Sequence, residues 1–358
     1  MKGRVLVAGF ATRHVAQSAH RAGWEVCAVD HFCDQDLAWC TGDREQFDEL
    51  ADLPGAIERI CRRHRFDLFV PTSGAEMLPV DLPRCGTPLE TLRRFLDKKE
   101  TQVFFESVRI PVPRILPAGE FPAMVKPRTG AGGWRNAVIR NGPAMRAWKE
   151  LYGDVPYLRQ EIIDGVPASV CCIASGSGAV AIAANEQILR GRGGSAFGFS
   201  GSVTPCTHPF TPSMVAIAER AAAASGCRGT IGIDFVIGSG GPVAIEVNPR
   251  FQGTVDTVEA ATGRNLFTLH TEACRGRLPN RLFPPRKVAA RSIIFADRDM
   301  TVKADLARFR EFASDIPWPG TFFEEEQAIV SILGTGPDRA SALALLDKHI
   351  TTVRQYMR

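Results

Sequence analysis

Ile245-Glu246-Val247-Asn248-Pro249-Arg250 is the stretch on which the reading of this chain turns. Glu246 and Asn248 stand two apart in an extended run, so their side chains leave a strand from one face while Ile245 and Val247 fill the other. Upstream, Asp234 lies inside the apolar run Ile231–Ile237, and Gly238-Ser239-Gly240-Gly241 between the two runs is a hairpin turn. If the hairpin pairs around these glycines, Asp234 falls beside Glu246. Two carboxylates and an amide oxygen then form an all-oxygen, hard-ligand group that suits Mg2+, an ion that keeps waters and bridges phosphates. A solvated polar face is the plainer alternative. It fits poorly, because the acids sit within apolar strands and like charges side by side cost energy without a cation.

Toward the N-terminus, Lys126 closes a strand over Phe121–Lys126, and a loop with Gly130, Gly132 and Gly133 follows. Backbone amides of such a loop can approach phosphates closely, and Lys126 supplies a point charge. The loop lacks the Gly-Lys-Ser/Thr entry into a helix that marks a Walker A motif. Next, Gln160-Glu161-Ile162-Ile163-Asp164-Gly165 reads as an extended segment between lobes. Its backbone can hydrogen-bond an adenine edge while Ile162 or Ile163 covers the ring face.

The first 90 residues alternate strand and helix, with strands over Arg4–Gly9, Glu25–Asp30 and Phe66–Pro71 and helices over His14–Ala22 and Ile57–His64. This is half of a doubly wound sheet, whose ligands gather beyond the carboxyl ends of the strands. The first turn, Gly9-Phe10-Ala11-Thr12-Arg13, has a single glycine and no G-x-G-x-x-G fingerprint, which disfavours a dinucleotide. Pro88–Val108 is helix-like. Strands are expected over Ala137–Arg140, Tyr157–Ile163, Ala168–Ala174 and Val180–Ile188, and helices over Met145–Leu151, Pro212–Ser225 and Arg339–Tyr356. Arg190–Gly201 reads as a glycine-rich loop whose Phe197 and Phe199 could close over a substrate. The predicted division is a Rossmann-like lobe over 1–90, a central domain over 91–281 and a C-terminal lobe over 282–358. The central domain has a small lobe over about 111–160 and a large lobe from 161.

Charge and composition exclude several classes. With 43 basic and 39 acidic residues the net charge is +4, with no run of like charges, so nucleic acid is not a predicted partner. Cys61-Arg62-Arg63-His64-Arg65 is the densest basic cluster and reads as a helix C-terminus, where cations suit the dipole. No apolar segment reaches the ~18–20 residues that span a bilayer, and the N-terminus reads as a strand, not a signal peptide. Ten cysteines without a C-x-x-C pair lie mostly in apolar surroundings, which points to a reduced, cytoplasmic setting. The seven histidines are scattered and read as structural.

Asp97-Lys98, then Val125-Lys126-Pro127 with its glycine loop, then Gln160–Gly165, then Asp234 and Glu246–Arg250 come in an order that resembles the ATP-grasp superfamily. The closest likeness is to the carbamoyl-phosphate-synthase-like and predicted ATP-dependent carboligase branch. Val7–Arg13, Val29–Leu37 and Asp315–Thr321 carry that part of the resemblance. It implies an α/β, ATP-grasp fold with a Rossmann-like N-terminal lobe and a C-terminal α+β lobe that completes the central domain.

The resemblance also implies ATP with Mg2+, Mn2+ being the alternative ion. Lys98 and Lys126 would contact phosphates under a lid of Gly130, Gly132 and Gly133. Gln160, Glu161, Ile162 and Ile163 would form the adenine hinge, and Asp234, Glu246 and Asn248 would hold the metal. Arg250, with Lys126, would stabilise the reacting acyl phosphate. One position departs from the family pattern: Pro167 stands where many members have a ribose-binding Glu, leaving Ser169 or a backbone group for that contact.

The implied activity is that of a carboxylate–amine ligase on a small metabolite, with an amino acid as one option and a homodimer as the assembly the resemblance allows. A bicarbonate-activating relative and a nucleotide-binding module without turnover are the rival readings. Arg13, Asp30, Ser73, Glu76, Arg190, Arg192, Arg264 and Asn185-Glu186-Gln187 are the candidates for an acceptor site.

Overall fold

The computed structural model of the protein describes residues 2–130, 132–133, 135–191, 196–280 and 284–357. The N-terminal part alternates β1 (Arg4–Ala8), α1 (Arg13–Arg21), β2 (Glu25–Asp30), α2 (Gln35–Ala38), β3 (Asp43–Gln46), α3 (Leu53–Arg63) and β4 (Leu68–Pro71). Two helices follow, α4 (Leu89–Leu96) and α5 (Lys98–Ser107), then β5 (Ala123–Pro127), β6 (Ala137–Ile139), α6 (Gly142–Tyr152) and β7 (Tyr157–Gln160). Beyond them run β8 (Gly165–Ser175), β9 (Ala179–Leu189), β10 (Phe199–Thr204), α7 (Thr211–Ala224), β11 (Arg228–Gly238), β12 (Gly241–Asn248), α8 (Val255–Thr262) and α9 (Leu266–Cys274). The chain closes with β13 (Val288–Phe295), β14 (Met300–Val302), β15 (Ala313–Ser314), β16 (Thr321–Phe323), β17 (Ala328–Gly336) and α10 (Arg339–Met357).

Among the described residues these strands form a parallel sheet β3-β2-β1-β4, an antiparallel sheet β6-β5-β7, an eight-stranded antiparallel sheet β12-β11-β8-β9-β10-β13-β17-β15 and the pair β14-β16. Helices α8 and α9 lie between the parallel sheet and the large one. Val255, Val258, Leu266 and Phe267 pack in one cluster with Val5, Val15 and Val26 on one side and Cys171, Ile173 and Ile182 on the other. The far face of the large sheet is covered by α5 and the alanine-rich α7, whose Ala218, Ala221 and Ala222 admit close approach to Ile231, Ile233 and Phe235. Burying a side chain such as Phe267 contributes about 2–3 kcal/mol, so these two layers hold α8, and the residues before it, in place.

Several elements differ from expectation, each for a physical reason. Pro88–Val108 breaks into α4 and α5 because Asp97 is extended and caps the second helix, its Oδ1 accepting from the Lys99 amide at 2.8 Å. β3 went unpredicted because Asp43-Arg44-Glu45-Gln46 has no apolar alternation. It is an edge strand held by charge, with Arg63 Nε 2.9 Å and His64 Nε2 2.7 Å from Asp43 Oδ2. The basic cluster at the end of α3 thus has a partner beyond the helix dipole. The expected strand Tyr157–Ile163 stops at Gln160, since the Glu161 amide turns to the Arg114 carbonyl at 2.9 Å. The last residues of the expected loop Arg190–Gly201 belong to β10.

An acidic knot joins the ends of the chain. Asp34, at the start of α2, is pushed up to about 8 by burial and by Asp315, Asp36 and Asp30 around it. A folded chain then holds a proton that an unfolded one sheds from pH ~4 upward, so the contribution of Asp34 to stability is fully present below ~4 and is lost as pH rises to ~8. Asp34→Asn is expected to flatten the profile of Tm against pH between ~5 and ~8. At pH ~8 its Tm should exceed the parent's by roughly 2 °C or more. Parallel melting profiles for the two chains would refute the assignment.

Candidate active site

Asp234 pairs directly with Glu246 across β11 and β12, and Gly232 with Asn248. The hairpin carries a β-bulge: Phe235 opposes Ala244 and Asp234 opposes Glu246, so Ile245 has no partner. Ala244 therefore faces the core while Glu246, two residues on, faces a cleft, and Val247 is buried behind it. Ile245 does not share the face of Val247, as simple alternation predicts. As the extra residue of the bulge it lines the cleft.

Asp234 is gripped by amides. Its Oδ1 accepts from Gln187 Nε2 at 3.0 Å and Gln252 Nε2 at 3.2 Å, and its Oδ2 from Asn248 Nδ2 at 2.8 Å. Gln252 reaches it over Gly232, where a Cβ would sit 1.7 Å from the Gln252 amide. Burial, and next the charge on Glu246, push Asp234 up to about 7, although the amides and Arg250 pull the other way. Two acids that resist joint ionisation, with a side-chain amide beside them on the same cleft, form an oxygen donor set suited to a hard divalent cation. Asp234, Glu246 and Asn248 fit Mg2+ on that ground.

Lys126 enters the same cleft, of about 460 Å³, from the end of β5. It is 8% exposed, and burial lowers it to about 8 against the pull of Glu246. Lys98, the first residue of α5, donates to the Gly130 carbonyl at 2.6 Å and stands 3.7 Å from Glu246 Oε1. Gly132 and Gly133 line the cleft. Gly133 has φ +69 and lies against the Phe197 carbonyl, where a Cβ would come within 2.4 Å, so the glycine loop and the loop before β10 rest on one another. Ile163, Asp164, Gly165 and Pro167 form the opposite wall.

The side chains of the rest of the expected hinge are turned elsewhere. The Gln160 side chain is buried and donates to Gln102 at 2.6 Å. Glu161 spends its carboxylate on the Arg114 amide at 2.8 Å, and Ile162 is exposed outside the cleft wall. Ser169, weighed for the ribose contact, is fully buried and accepts from Asn185.

Arg250 closes the far end. Its Nε lies 2.7 Å from Glu76 Oε1, and Glu76 Oε2 accepts from the Gly74 amide at 2.6 Å, which ties the loop after β4 to the hairpin. Of the acceptor candidates, Glu76 and Gln187 thus reach the cleft residues, and Ser73 lies on the same loop. Asp30 is committed to the backbone, accepting from Thr12, Phe32 and Cys33 amides. Asn185 and Glu186 pair with Thr204 and Arg339. Arg190 packs 4.1 Å from the Phe295 ring, near Glu326. Arg13 and Arg264 line a second cleft of about 520 Å³ between α1, α8 and the β15 region. Arg192 lies outside the described residues. Gln187 and Gln252 have no motif of their own; as partners of Asp234 only the tertiary structure reveals them.

Residues 95–254 match the sequence model of an ATP-grasp domain. The chain carries an ATP-grasp domain. Its hairpin acids, Lys98, Lys126 and the glycine loop all fall within that match. An uncharacterised protein of Methanocaldococcus jannaschii is 28% identical over 213 residues, covering 59% of this chain and 50% of that one. The carbamoyl phosphate synthase large chain of Thermus thermophilus is 23% identical over 293 residues, 73% of this chain and 28% of its own length. The chain thus spans half or less of these curated relatives. Among solved structures, the ATP complex of biotin carboxylase from Campylobacter jejuni superposes with TM-score 0.77 at 14% identity, covering 97% of this chain and 90% of that one. L-amino acid ligase from Bacillus licheniformis gives 0.70 at 15% identity, with 97% of both chains covered. The ATP-grasp fold therefore extends over nearly the whole chain, N-terminal parallel sheet included. No helix among the described residues is long and apolar enough to cross a membrane.

Proposed function

We propose that this chain is an ATP- and Mg2+-dependent ligase that joins a small carboxylate to an amine through an acyl phosphate. The observation that carries the reading is the opposition of Asp234 and Glu246 in a cleft entered by Lys126 and closed by Arg250. A carboxylate attacking a triphosphate is anion on anion, and the barrier falls only where fixed positive charge meets the developing phosphoryl oxygens. Lys98 and Lys126 stand at the nucleotide end and Arg250 at the acceptor end, with Glu76 holding its guanidinium in place. Mg2+, held by Asp234, Glu246 and Asn248, would neutralise phosphate charge. Pro167 offers no side-chain hydrogen bond to the ribose, so the backbone of this wall and Ile163, Asp164 and Gly165 carry the nucleoside contacts.

A second reading has a specific support in the carbamoyl phosphate synthase relative: bicarbonate in place of an organic acid. ADP release in Mg-ATP should be measured against panels of amino acids, other carboxylates and amines, with bicarbonate alone as a separate arm. Release that requires both an organic acid and an amine supports the ligase. Release stimulated by bicarbonate alone sinks it in favour of the carboxylating reading. Release under no condition, with ATP still bound, leaves a nucleotide-binding module.

Gly232 gives a test of the metal set that spares every donor. A methyl at this position collides with the Gln252 amide that supports Asp234. Gly232→Ala is expected to cost about 1–3 kcal/mol in stability, as overpacking does. It should also raise the Mg2+ concentration needed for half-maximal ADP release. An unchanged Mg2+ dependence in a destabilised chain would show that Gln252 does not orient the ligands.

A further inference from the structure

Behind the Glu76–Arg250 ion pair the chain gathers two thiols and an imidazole. Cys85 lies on the connector from β4 to α4, and His270 and Cys274 lie one turn apart on α9. Their sulfurs and a ring nitrogen are within 4.8 Å of one another. The place is built to admit the ring: Gly229 has φ +85, and a Cβ there would come within 2.4 Å of it. Phe251, the residue after Arg250, covers the ring at 4.6 Å between centroids. Cys85 and His270 are buried, and Cys274 is half-buried.

Two chemistries suit such a group, a metal site and a dithiol, and the hydrogen bonds of His270 separate them. Nδ1 accepts from the Thr230 amide at 2.8 Å, and Nε2 lies 3.1 Å from the Cys85 carbonyl, to which it donates. A metal on Nε2 would leave Nδ1 protonated against the Thr230 N–H. A metal on Nδ1 would strand a buried amide. Burial opposes protonation of His270 and the charge of Cys274 favours it, but a second ring proton would again face Thr230. The ring stays a neutral Nε2–H donor, and the two sulfurs are left to react with each other.

We propose that Cys85 and Cys274 are a reversible dithiol–disulfide pair. Cys274 is the attacking sulfur, being the more accessible of the two. The neighbouring Cys85 thiol holds the Cys274 thiol below its usual range, while Cys85 is itself pushed up. With hydrogen peroxide as oxidant, the Cys274 thiolate takes one oxygen and, with a proton, a first water leaves, giving a sulfenic acid. The Cys85 sulfur then displaces that oxygen as a second water and the S–S bond forms, two electrons having passed from the sulfurs to the peroxide. A dithiol reductant reverses the step. The bond would tie α9 to the connector that bears Glu76, whose carbonyl accepts from Arg84.

The experiment needs no turnover, so it stands apart from the ligase reading. The full reduced chain is treated with hydrogen peroxide in native buffer, quenched with N-ethylmaleimide and mapped by mass spectrometry. The expected result is loss of two alkylation sites, a Cys85–Cys274 cross-linked peptide lighter by two hydrogens, and its disappearance in dithiothreitol. In the reduced chain a short iodoacetamide pulse should label Cys274 ahead of the other cysteines. In Cys85→Ser the same oxidation should stop at a sulfenic acid on Cys274, trapped by dimedone. Full alkylation after peroxide, a cross-link between other cysteines, over-oxidation of Cys274 in the parent chain, or stoichiometric zinc in the reduced chain would each overturn the proposal.

Discussion

Glu246→Ala is expected to lower Mg-dependent ADP formation by roughly 10³-fold or more, the loss that follows when a ligand to a catalytic metal is removed, while the fold stays intact. The two halves of this expectation come from different features. The Glu246 side chain is a quarter exposed and its charge partner, Lys98, is 3.7 Å away on the cleft side, so truncation empties no core position. Its loss does leave Asp234 as the lone carboxylate of the donor set. Asp234 should then ionise more readily, because the charge of Glu246 helps to hold it at about 7. Circular dichroism and melting should match the parent. Turnover within about tenfold of the parent in such a folded variant would sink the metal assignment.

Arg13→Met is expected to be the most destabilising exchange, by about 3–5 kcal/mol, the range for removing one partner of a buried ion pair. Arg13 donates to both oxygens of Asp256 at 2.8 and 2.7 Å and to Asp315 at 2.8 Å, with Asp36 3.5 Å away. Methionine keeps the length and abandons three carboxylates, Asp36 buried and Asp256 and Asp315 partly buried, leaving Arg291 to serve the last two. Burial alone would push Asp256 up, but Arg13 and Arg291 outweigh it and bring the group to about 2. A depressed acid contributes stability that is present above its ordinary value near 4 and lost as pH falls toward 2. The parent should therefore lose stability across that window, and the variant should have lost part of it already at neutral pH. Urea midpoints at pH ~7 and ~3 measure both. Equal midpoints at pH ~7 would mean the knot does not hold the fold.

The hairpin was legible because its information is local. Apolar runs of strand length, a glycine turn and acids at nearby offsets give the hairpin, and the one-residue bulge at Ile245 then brings Glu246, in place of Ile245, opposite Asp234. Lys126 was legible for the same reason. Lys98 was not: only the family resemblance pointed to it, because its approach to Glu246 depends on Asp97 breaking one helical stretch into two. Arg13 was misread as an acceptor residue because its partners lie 243 and 302 positions away, and no spacing rule reaches that far. Asp30 was misread in a subtler way. An acid at the carboxyl end of a strand suits a ligand, but it equally suits the amides of the turns that follow, and here the turns take it. Gln160 shows the same limit, since whether a hinge side chain faces a cleft or a neighbouring glutamine is decided by tertiary packing.

The unpaired Ile245 bears on how the hairpin would tolerate insertion and deletion. On the turn side of the bulge, even-numbered residues such as Ala244 point to the core; beyond it, even-numbered Glu246 and Asn248 point to the cleft. Phase is reset at a single position. A library that varies the length of the Gly238–Gly241 turn leaves the donors on the side of the bulge that β11 and β8 hold, and many of its members should retain them. Deleting Ile245 alone would leave a regular ladder, with Ala244 still opposite Phe235 and Glu246 still opposite Asp234, whereas deleting a paired residue such as Ala244 would shift the register on the turn side of the bulge. In this strand, length is negotiable at the tip and at the one unpaired residue, and fixed where residues are paired.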